Sequence, residues 1–581
     1  MRQLLDDRRQ AFLLVGLVVL VHLAVAWPGA ADRGVIAEEI QPYLAHYPKL
    51  LDDAAGRVAY LPPNDDPALR AAVDAGRDVA PRWVGTPGWP EVAYQAPARI
   101  WPLFVRAHQT AIGTYFGVAL QPLLGGGVAG VRRSSVLLGL ALILLVWGLG
   151  RRLQLSPRWS TVAALGCASS PGLWFFGRTG YGFELASRVV LLLALFVAAP
   201  RRPLGRGRAV ALGLLFALAV LCRATIAATL APPLLLLLFH PRRFAGPWRT
   251  GGVLALGGGV PIALAVLAAV LLPFAAHATP GANLPLAMLS SRTLTMPAIA
   301  LTQLAWMVDA RVVLLPLVDG QLTAGAVWLR ALAAGVVLAT ALWRWWHGRA
   351  GEAERLFAGA LLGNSLVSAW LYGDPKQFQL GMALEPLFVL ALCQQLAVLR
   401  PTRIAVTVAA VLLGLRAFTL ASLWLHERRT DNPMLSGAAQ RQLVAVLEHD
   451  GVRGDRLITT TYDHVGLLES ATHERLRPVH AWRLLRTHGD GAGDDDALTA
   501  QWQRVLQAVL TADHVLLTRA PNLYAGPFTD NDTVARTLER ALATRGRTID
   551  RRVPIAGDGG GAVFELLTLS PDLAGAPDAP R

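Results

Sequence analysis

Lysine is nearly missing from this chain. Only Lys49 and Lys376 occur among 581 residues, so arginine carries almost all of the positive charge. Charged residues of both signs are scarce as well, at 16%, where a soluble protein carries about 25%. That deficit excludes an ordinary soluble enzyme. Cysteine occurs three times, at Cys167, Cys222 and Cys393, each inside an apolar run, which excludes a disulfide framework. No His/Cys/Asp spacing suggests zinc. The apolar runs lack the strict alternation of membrane-barrel strands, which leaves helices. The formal charge of +14 does not point to nucleic acid, because the excess arginines sit in short loops between apolar runs. The glycine-rich run Gly557–Gly561 opens no helix and is read as a hairpin loop, not a phosphate cradle.

What is abundant is apolar sequence, at 54%. Runs of roughly 13 to 22 apolar residues recur from Ala11 to Leu425, close to the length that crosses a bilayer. Arg2, Arg8 and Arg9 place the amino terminus in the cytoplasm. The first run, Ala11–Trp27, then exits, and residues 29–133 form a long outer loop. A cleaved signal peptide is the alternative for this run, since Ala24-Val25-Ala26 precedes Trp27, and either route leaves Asp32 outside. The apolar stretch 103–125 would put two later arginine clusters outside if it spanned, so it is expected to be a helix lying in the outer interface. The remaining runs alternate. Ser135–Gly150 enters, Ser160–Phe176 exits, Leu185–Ala199 enters, Val210–Cys222 exits and Ile226–Phe239 enters. Val253–Leu272 exits to an outer loop, 274–322, with a further apolar piece at 296–317. Ala326–Trp343 then enters, Phe357–Tyr372 exits, Phe378–Val398 enters and Ile404–Leu425 exits. The expected architecture is an α-helical polytopic membrane protein of about eleven transmembrane helices. Trp343, Trp345 and Trp346 read as an interfacial belt at a cytoplasmic span end.

From His426 the pattern changes to alternating helix and strand. Helices are expected at Ala438–His449, Ala497–Leu510 and Thr533–Thr544, and strands at Arg456–Thr461, His514–Thr518, Thr548–Val553 and Ala562–Leu569. The division is a membrane module over 1–425, a small α/β domain over 426–570 that chain parity places outside, and a disordered Pro/Ala-rich tail at 571–581.

The residues that could carry chemistry cluster outside. Asp32, Glu38 and Glu39 lie in Asp32-Arg-Gly-Val-Ile-Ala-Glu-Glu-Ile-Gln-Pro-Tyr43, where the first helix leaves the bilayer. Carboxylates there suit a general base; a solvated helix start is the plain alternative. Lys376, Arg223 and Arg178 are outer-end cations that suit a phosphate, with snorkelling as the alternative. Arg132 and Arg133 do not fit the charge rule and stand outside, where phosphates are one partner. Glu385 and Arg416 are singled out inside the membrane. Both lie about 13 Å deep on consecutive antiparallel helices, which predicts a structural pair in preference to a substrate role.

Several segments resemble one family in order and spacing. Gly34-Val-Ile-Ala-Glu-Glu-Ile-Gln-Pro-Tyr43 opens the first outer loop. His108-Gln-Thr-Ala-Ile-Gly-Thr-Tyr115 follows, then Val131-Arg-Arg-Ser-Ser-Val-Leu-Leu-Gly139 through Gly150-Arg-Arg-Leu153. Next comes Ser170-Pro-Gly-Leu-Trp-Phe-Phe-Gly-Arg-Thr-Gly-Tyr-Gly-Phe-Glu184, and Lys376…Phe378…Pro386 is a looser match. Together, over residues 10–400, these resemble the GT-C superfamily of membrane glycosyltransferases, notably the branch with protein O-mannosyltransferases and the aminoarabinose transferases of lipid A. Glu38-Glu39 stands where that family opens with Asp-Glu. The resemblance implies transfer of a hexosyl or pentosyl group from a polyprenyl-phosphate sugar to a lipid, glycan or protein acceptor on the outer face of a bacterial cytoplasmic membrane. It implies Glu38, Glu39 or Asp32 as base, Glu184 as the second acidic position, and Lys376, Arg223, Arg178, His108 and Tyr115 around the donor. No cofactor is certain, and a divalent ion between outer carboxylates stays open, since only some members need one. The rivals are a transporter or lipid flippase, which predicts internal repeats that are not evident here, and an inactive GT-C-like assembly protein.

Overall fold

A computed structural model gives the structure of the protein. It describes residues 2–30, 122–125, 127–178, 182–199, 206–222, 296–309, 324–371, 383–429, 436–459, 512–518 and 547–570, strands β1 (Arg57–Tyr60), β2 (Arg82–Thr86), β3 (Trp89–Pro97), β4 (Phe104–Arg106) and β5 (Gln109–Thr110), a short strand at 479–480, and isolated residues between them. The chain divides into two compact units. The first gathers residues 1–30, 86–90 and 101–423, and the second 31–85, 91–100 and 424–581.

The first unit is helical. Its described helices are α1 (Arg2–Ala26), α2 (Gly127–Arg152), α3 (Pro157–Ala168), α4 (Pro171–Gly177), α5 (Gly182–Ala198), α6 (Arg206–Cys222), α7 (Met296–Asp309), α8 (Ala324–Trp346), α9 (Glu352–Leu371), α10 (Glu385–Val398) and α11 (Thr402–Glu427), whose last turn crosses into the second unit. Among the described residues, three helices are long and apolar enough to cross a membrane: Ala129–Arg152, Gly325–Trp346 and Thr402–Glu427. Their outward faces fit lipid. Leu329, Leu332 and Val336 on α8 are exposed by 68%, 67% and 59%, which no water-facing helix would favour.

Local signals explain most helix ends. The run expected as one span, Ser160–Phe176, is two helices. Proline cannot continue α3, and Ser170 caps α4 by accepting from the Leu173 N–H at 3.0 Å, with Pro171 at the first helical position. Ser156-Pro157 starts α3 in the same way. The first inward run is longer than Ser135–Gly150, because Arg132 and Arg133 are inside α2 and not in the loop before it. Here α10 starts at Glu385, where Phe378 was expected; residues 372–382 fall outside the described set. The interfacial helix expected at 103–125 is not continuous. Strands Phe104–Arg106 and Gln109–Thr110 pair antiparallel at its start, and described helix appears only from Phe116 onward. Apolarity alone does not separate a short strand from a helix, and Val105 and Thr110 are β-branched. The spans expected at 226–239 and 253–272 lie outside the described residues, apart from Thr229, Pro232 and Pro233.

The second unit holds a five-stranded sheet of β6 (Leu457–Thr459), β7 (Val479–His480), β8 (His514–Thr518), β9 (Ile549–Ala556) and β10 (Ala562–Leu569), in the order β7-β6-β8-β10-β9. β6 runs parallel to β7 and β8, while β10 runs antiparallel to β8 and β9. Helix α12 (Gly437–His449) presents Ala439, Leu443 and Leu447, one residue per turn, to a core that includes Leu516, Ile555 and Phe564. The Gly557–Gly561 run is a tight turn between β9 and β10, closed by Gly557 N–H to the Gly561 carbonyl at 2.8 Å, and Gly560 takes φ +88° there. Its Asp558 carboxylate accepts from the Ser436 hydroxyl at 2.7 Å, and Ser436 caps α12 by accepting from Ala439 N–H at 3.2 Å. Among the expected elements, helices 497–510 and 533–544 and the tail lie outside the described residues, except that Leu542 and Ala543 are helical.

Candidate functional site

The place where α1 ends is held unusually firmly. The last carbonyls of a helix have no partner within it and carry partial negative charge. Here they and the next few are met by donors from other helices. The indole of Trp174 donates to the Val25 carbonyl at 2.9 Å. Arg178 donates to the Pro28 carbonyl at 3.0 Å and lies 4.4 Å over the Trp174 ring. Arg132 donates to the Ala30 carbonyl at 2.8 Å and is fully buried. Arg133 lies 5.9 Å from the Trp27 ring and donates to the Leu124 carbonyl at 2.9 Å. One turn deeper, His22 shares a hydrogen bond with the Val136 carbonyl at 3.1 Å. Three arginines thus grip the segment from which Asp32 follows two residues later.

A second polar node lies inside the helical unit. Glu385 and Arg416 meet at 2.9 Å, as their matching depth predicts, with side chains 5% and 0% exposed. Glu385 is the first residue of α10, so its charge also faces the positive end of that helix. Its other oxygen accepts from the Ser170 hydroxyl at 2.8 Å. Arg416 donates in addition to the carbonyls of Gly166, Met307 and Val308, the last at 2.7 Å. Those are the closing turns of α3 and α7, so one guanidinium serves two helix ends and one carboxylate. Asp309, next in the chain, makes a two-pronged pair with Arg330 of α8 at 2.9 Å for each bond, and Thr419 donates to it at 3.3 Å. A cavity beside Glu385, lined by Cys167, Ser170 and Arg188 among others, leaves only about 10 Å³ for the centre of a water molecule. Among the described residues, that cavity has room for about one water.

Of the residues expected at the site, Arg178 is described in full and is 2% exposed at the α1 clamp. Glu184 is the third residue of α5, and its side chain is outside the described set. Asp32, Glu38, Glu39, His108, Tyr115, Arg223 and Lys376 lie outside the described residues. No cluster of three or more metal-ligating side chains occurs among the described residues. Arg188 and Arg330 also lie inside apolar runs, the same signal that marked Glu385 and Arg416, and were not singled out. Ser170 was legible as the capping serine of a Ser-Pro pair.

No family model and no curated protein matches the sequence. Solved structures do resemble the chain. One is the oligosaccharyltransferase of Archaeoglobus fulgidus, at 12% identity and TM-score 0.48, over 87% of this chain and 69% of that one. Another is ArnT of Cupriavidus metallidurans bound to undecaprenyl phosphate, at 15% identity and TM-score 0.45, over 98% and 99%. A third is the arabinofuranosyltransferase AftD from Mycobacteria, at 14% identity and TM-score 0.43, over 97% of this chain and 40% of that one. All three likenesses have identities of 15% or less and TM-scores below 0.5, so this chain's own residues must carry any functional reading.

Proposed function

We propose that this chain transfers a glycosyl group from a polyprenyl-phosphate sugar to an acceptor on the outer face of a bacterial cytoplasmic membrane. The observation that carries this reading is the clamp on the end of α1. Trp174, Arg178 and Arg132 hold residues 25–30, so the acidic segment from Asp32 starts from a fixed point. A general base works only when held within reach of the proton it takes. The Ser170–Glu385 hydrogen bond supports the same reading. It ties the start of α4, which carries two of the clamps, to the start of α10, which follows the Lys376 segment by nine residues.

In the proposed reaction Glu38 takes the proton of an acceptor hydroxyl or amine as that atom attacks the anomeric carbon. Glu39 or Asp32 is the substitute base. The bond from that carbon to phosphate oxygen breaks, and the polyprenyl phosphate leaves with its electron pair. Lys376 and Arg223 meet the released charge. Glu184 orients the sugar or acceptor, and His108 and Tyr115 line the donor's approach. Arg178 belongs to the wall of this site, through the α1 clamp. The lipid tail lies in a groove between helices open to the bilayer, and residues 426–570 form an outer domain that selects the acceptor.

The test is turnover of the purified full chain with a panel of polyprenyl-phosphate sugars, wild type against Glu38→Gln. Loss of about 10²–10⁴ in rate is the expected result for removal of a general base. Equal turnover would remove Glu38 from the mechanism and move the assignment to Asp32 or Glu39.

A further inference from the structure

Several helix-to-helix turns of the helical unit converge at one end. Gly150, near the close of α2, lies against Ser160 of α3 and Leu390 of α10, where an added Cβ would stand 3.0 and 3.3 Å from their atoms. Arg152 lies 4.5 Å from the Phe196 ring and Arg208 donates to the Ala199 carbonyl at 3.3 Å, which brings the turn after α5 to the turn after α2. The Ala353 N–H donates to Gln394 at 2.9 Å, joining the start of α9 to α10 one turn before its end. Arg344 reaches the Arg349 carbonyl at 3.1 Å across the turn between α8 and α9.

This end is basic. Arg158, Arg349, Arg400 and Arg403 are exposed on its turns, and among the described residues no carboxylate pairs with them. Of the two carboxylates in the first turn of α9, Glu354 is held by Arg344 at 2.9 Å, and Glu352 is not among the partners of these four arginines. Trp343 and Trp346 stand 55% and 89% exposed beside the same turn, above the exposed apolar flank of α8. Exposed guanidinium groups, exposed indoles and a greasy flank in that order match the layers of a bilayer leaflet: headgroup phosphate, glycerol region, acyl chain. We propose that these turns bind the headgroups of anionic phospholipids, with Arg349, Arg400 and Arg403 as the phosphate ligands.

The test uses the full chain in bilayer nanodiscs of phosphatidylcholine with a minority of phosphatidylglycerol, released into mild detergent, with retained lipid identified by native mass spectrometry. The expected result is preferential retention of phosphatidylglycerol. It should fall about fivefold for each arginine removed in Arg349→Gln/Arg400→Gln/Arg403→Gln. Arg551→Gln, in the C-terminal sheet, should keep the wild-type preference. Equal retention of both lipids by the wild type overturns the proposal, as does an unchanged preference in the triple variant. Displacement of the retained lipid by inorganic phosphate also overturns it, since that marks a small-anion pocket. If the triple variant loses its thermal transition, Arg400→Gln alone decides through its own fivefold change.

Discussion

The two units use the same chemistry in opposite surroundings. In the helical unit, Glu385 and Arg416 are 5% and 0% exposed and bond four further groups. In the C-terminal sheet, Arg551–Asp450 at 3.2 Å, Arg552–Glu565 at 3.4 Å and Arg456–Asp513 at 3.3 Å each keep an arginine between 44% and 58% exposed. A buried pair loses most of its hydration, and this one survives because each nitrogen and oxygen of the two side chains has a partner. An exposed pair keeps its water and gains little from its partner. Distance does not rank these contacts. Surroundings do, and the inner node is a structural keystone where the outer pairs are ornaments of a surface already folded by its apolar core.

The largest effect is expected from Arg416→Met. It leaves the Glu385 carboxyl buried without its Arg416 partner and strips donors from the ends of α3 and α7. The expected cost is about 3–5 kcal/mol, read as a drop in the denaturation midpoint of the detergent-solubilised chain. Arg416→Met/Glu385→Met should recover part of that loss, because the stranded carboxyl goes with its partner. A double variant no more stable than Arg416→Met alone would assign the cost to the three carbonyls and not to the pair.

That node also marks what could be read from the chain in advance. The pairing of Glu385 with Arg416 was legible, because two charges at equal depth on consecutive antiparallel helices have few other partners. The carbonyl contacts of Arg416 were not. Gly166, Met307 and Val308 lie more than a hundred residues away, and backbone acceptors leave no mark in a sequence. Arg132 and Arg133 announced themselves only as misfits to the charge rule, and the answer was the end of α1. In the C-terminal sheet, β8 and β10 were legible to the residue, since Gly and Asp punctuate β-branched and leucine-rich runs there. The stretch 103–125 misled because its apolarity carried no period that separates strand from helix. The acidic segment and Lys376 stand out by their chemistry and position along the chain, which says nothing of the distance between them.

A smaller effect tests the outer side of the comparison through pH. His514, half-buried at the start of β8, has its pKa lowered from the usual value, first by burial and also by the positive charge of Arg551, while Asp513 and Asp450 oppose the shift. A histidine with a lowered folded pKa binds a proton less readily folded than unfolded. Its contribution is therefore constant above about pH 6.5, the unfolded value, and stability falls as pH drops from there to the folded pKa, then levels. The thermal midpoint of the full chain between about pH 7 and about pH 5 should fall less in His514→Gln than in the wild type. Parallel curves would show that His514 titrates alike in both states.

The smallest expected change is Arg551→Gln. Its pair with Asp450 is 58% exposed on the arginine side, so the loss near neutral pH should stay below about 0.5 kcal/mol. The same substitution has a second consequence with a definite sign. Arg551 is one of the charges that lowers the His514 pKa, so removing it lets that pKa rise toward the unfolded value. The window between the two values narrows, and the variant should lose less stability on acidification than the wild type does. In Arg551→Gln/His514→Gln that protection should vanish, because the group that read the charge is gone. A large neutral-pH cost for Arg551→Gln, approaching that of Arg416→Met, would mean that exposure is not what separates the two sets of pairs. An exposed arginine that matters only through the histidine beside it is what the contrast requires.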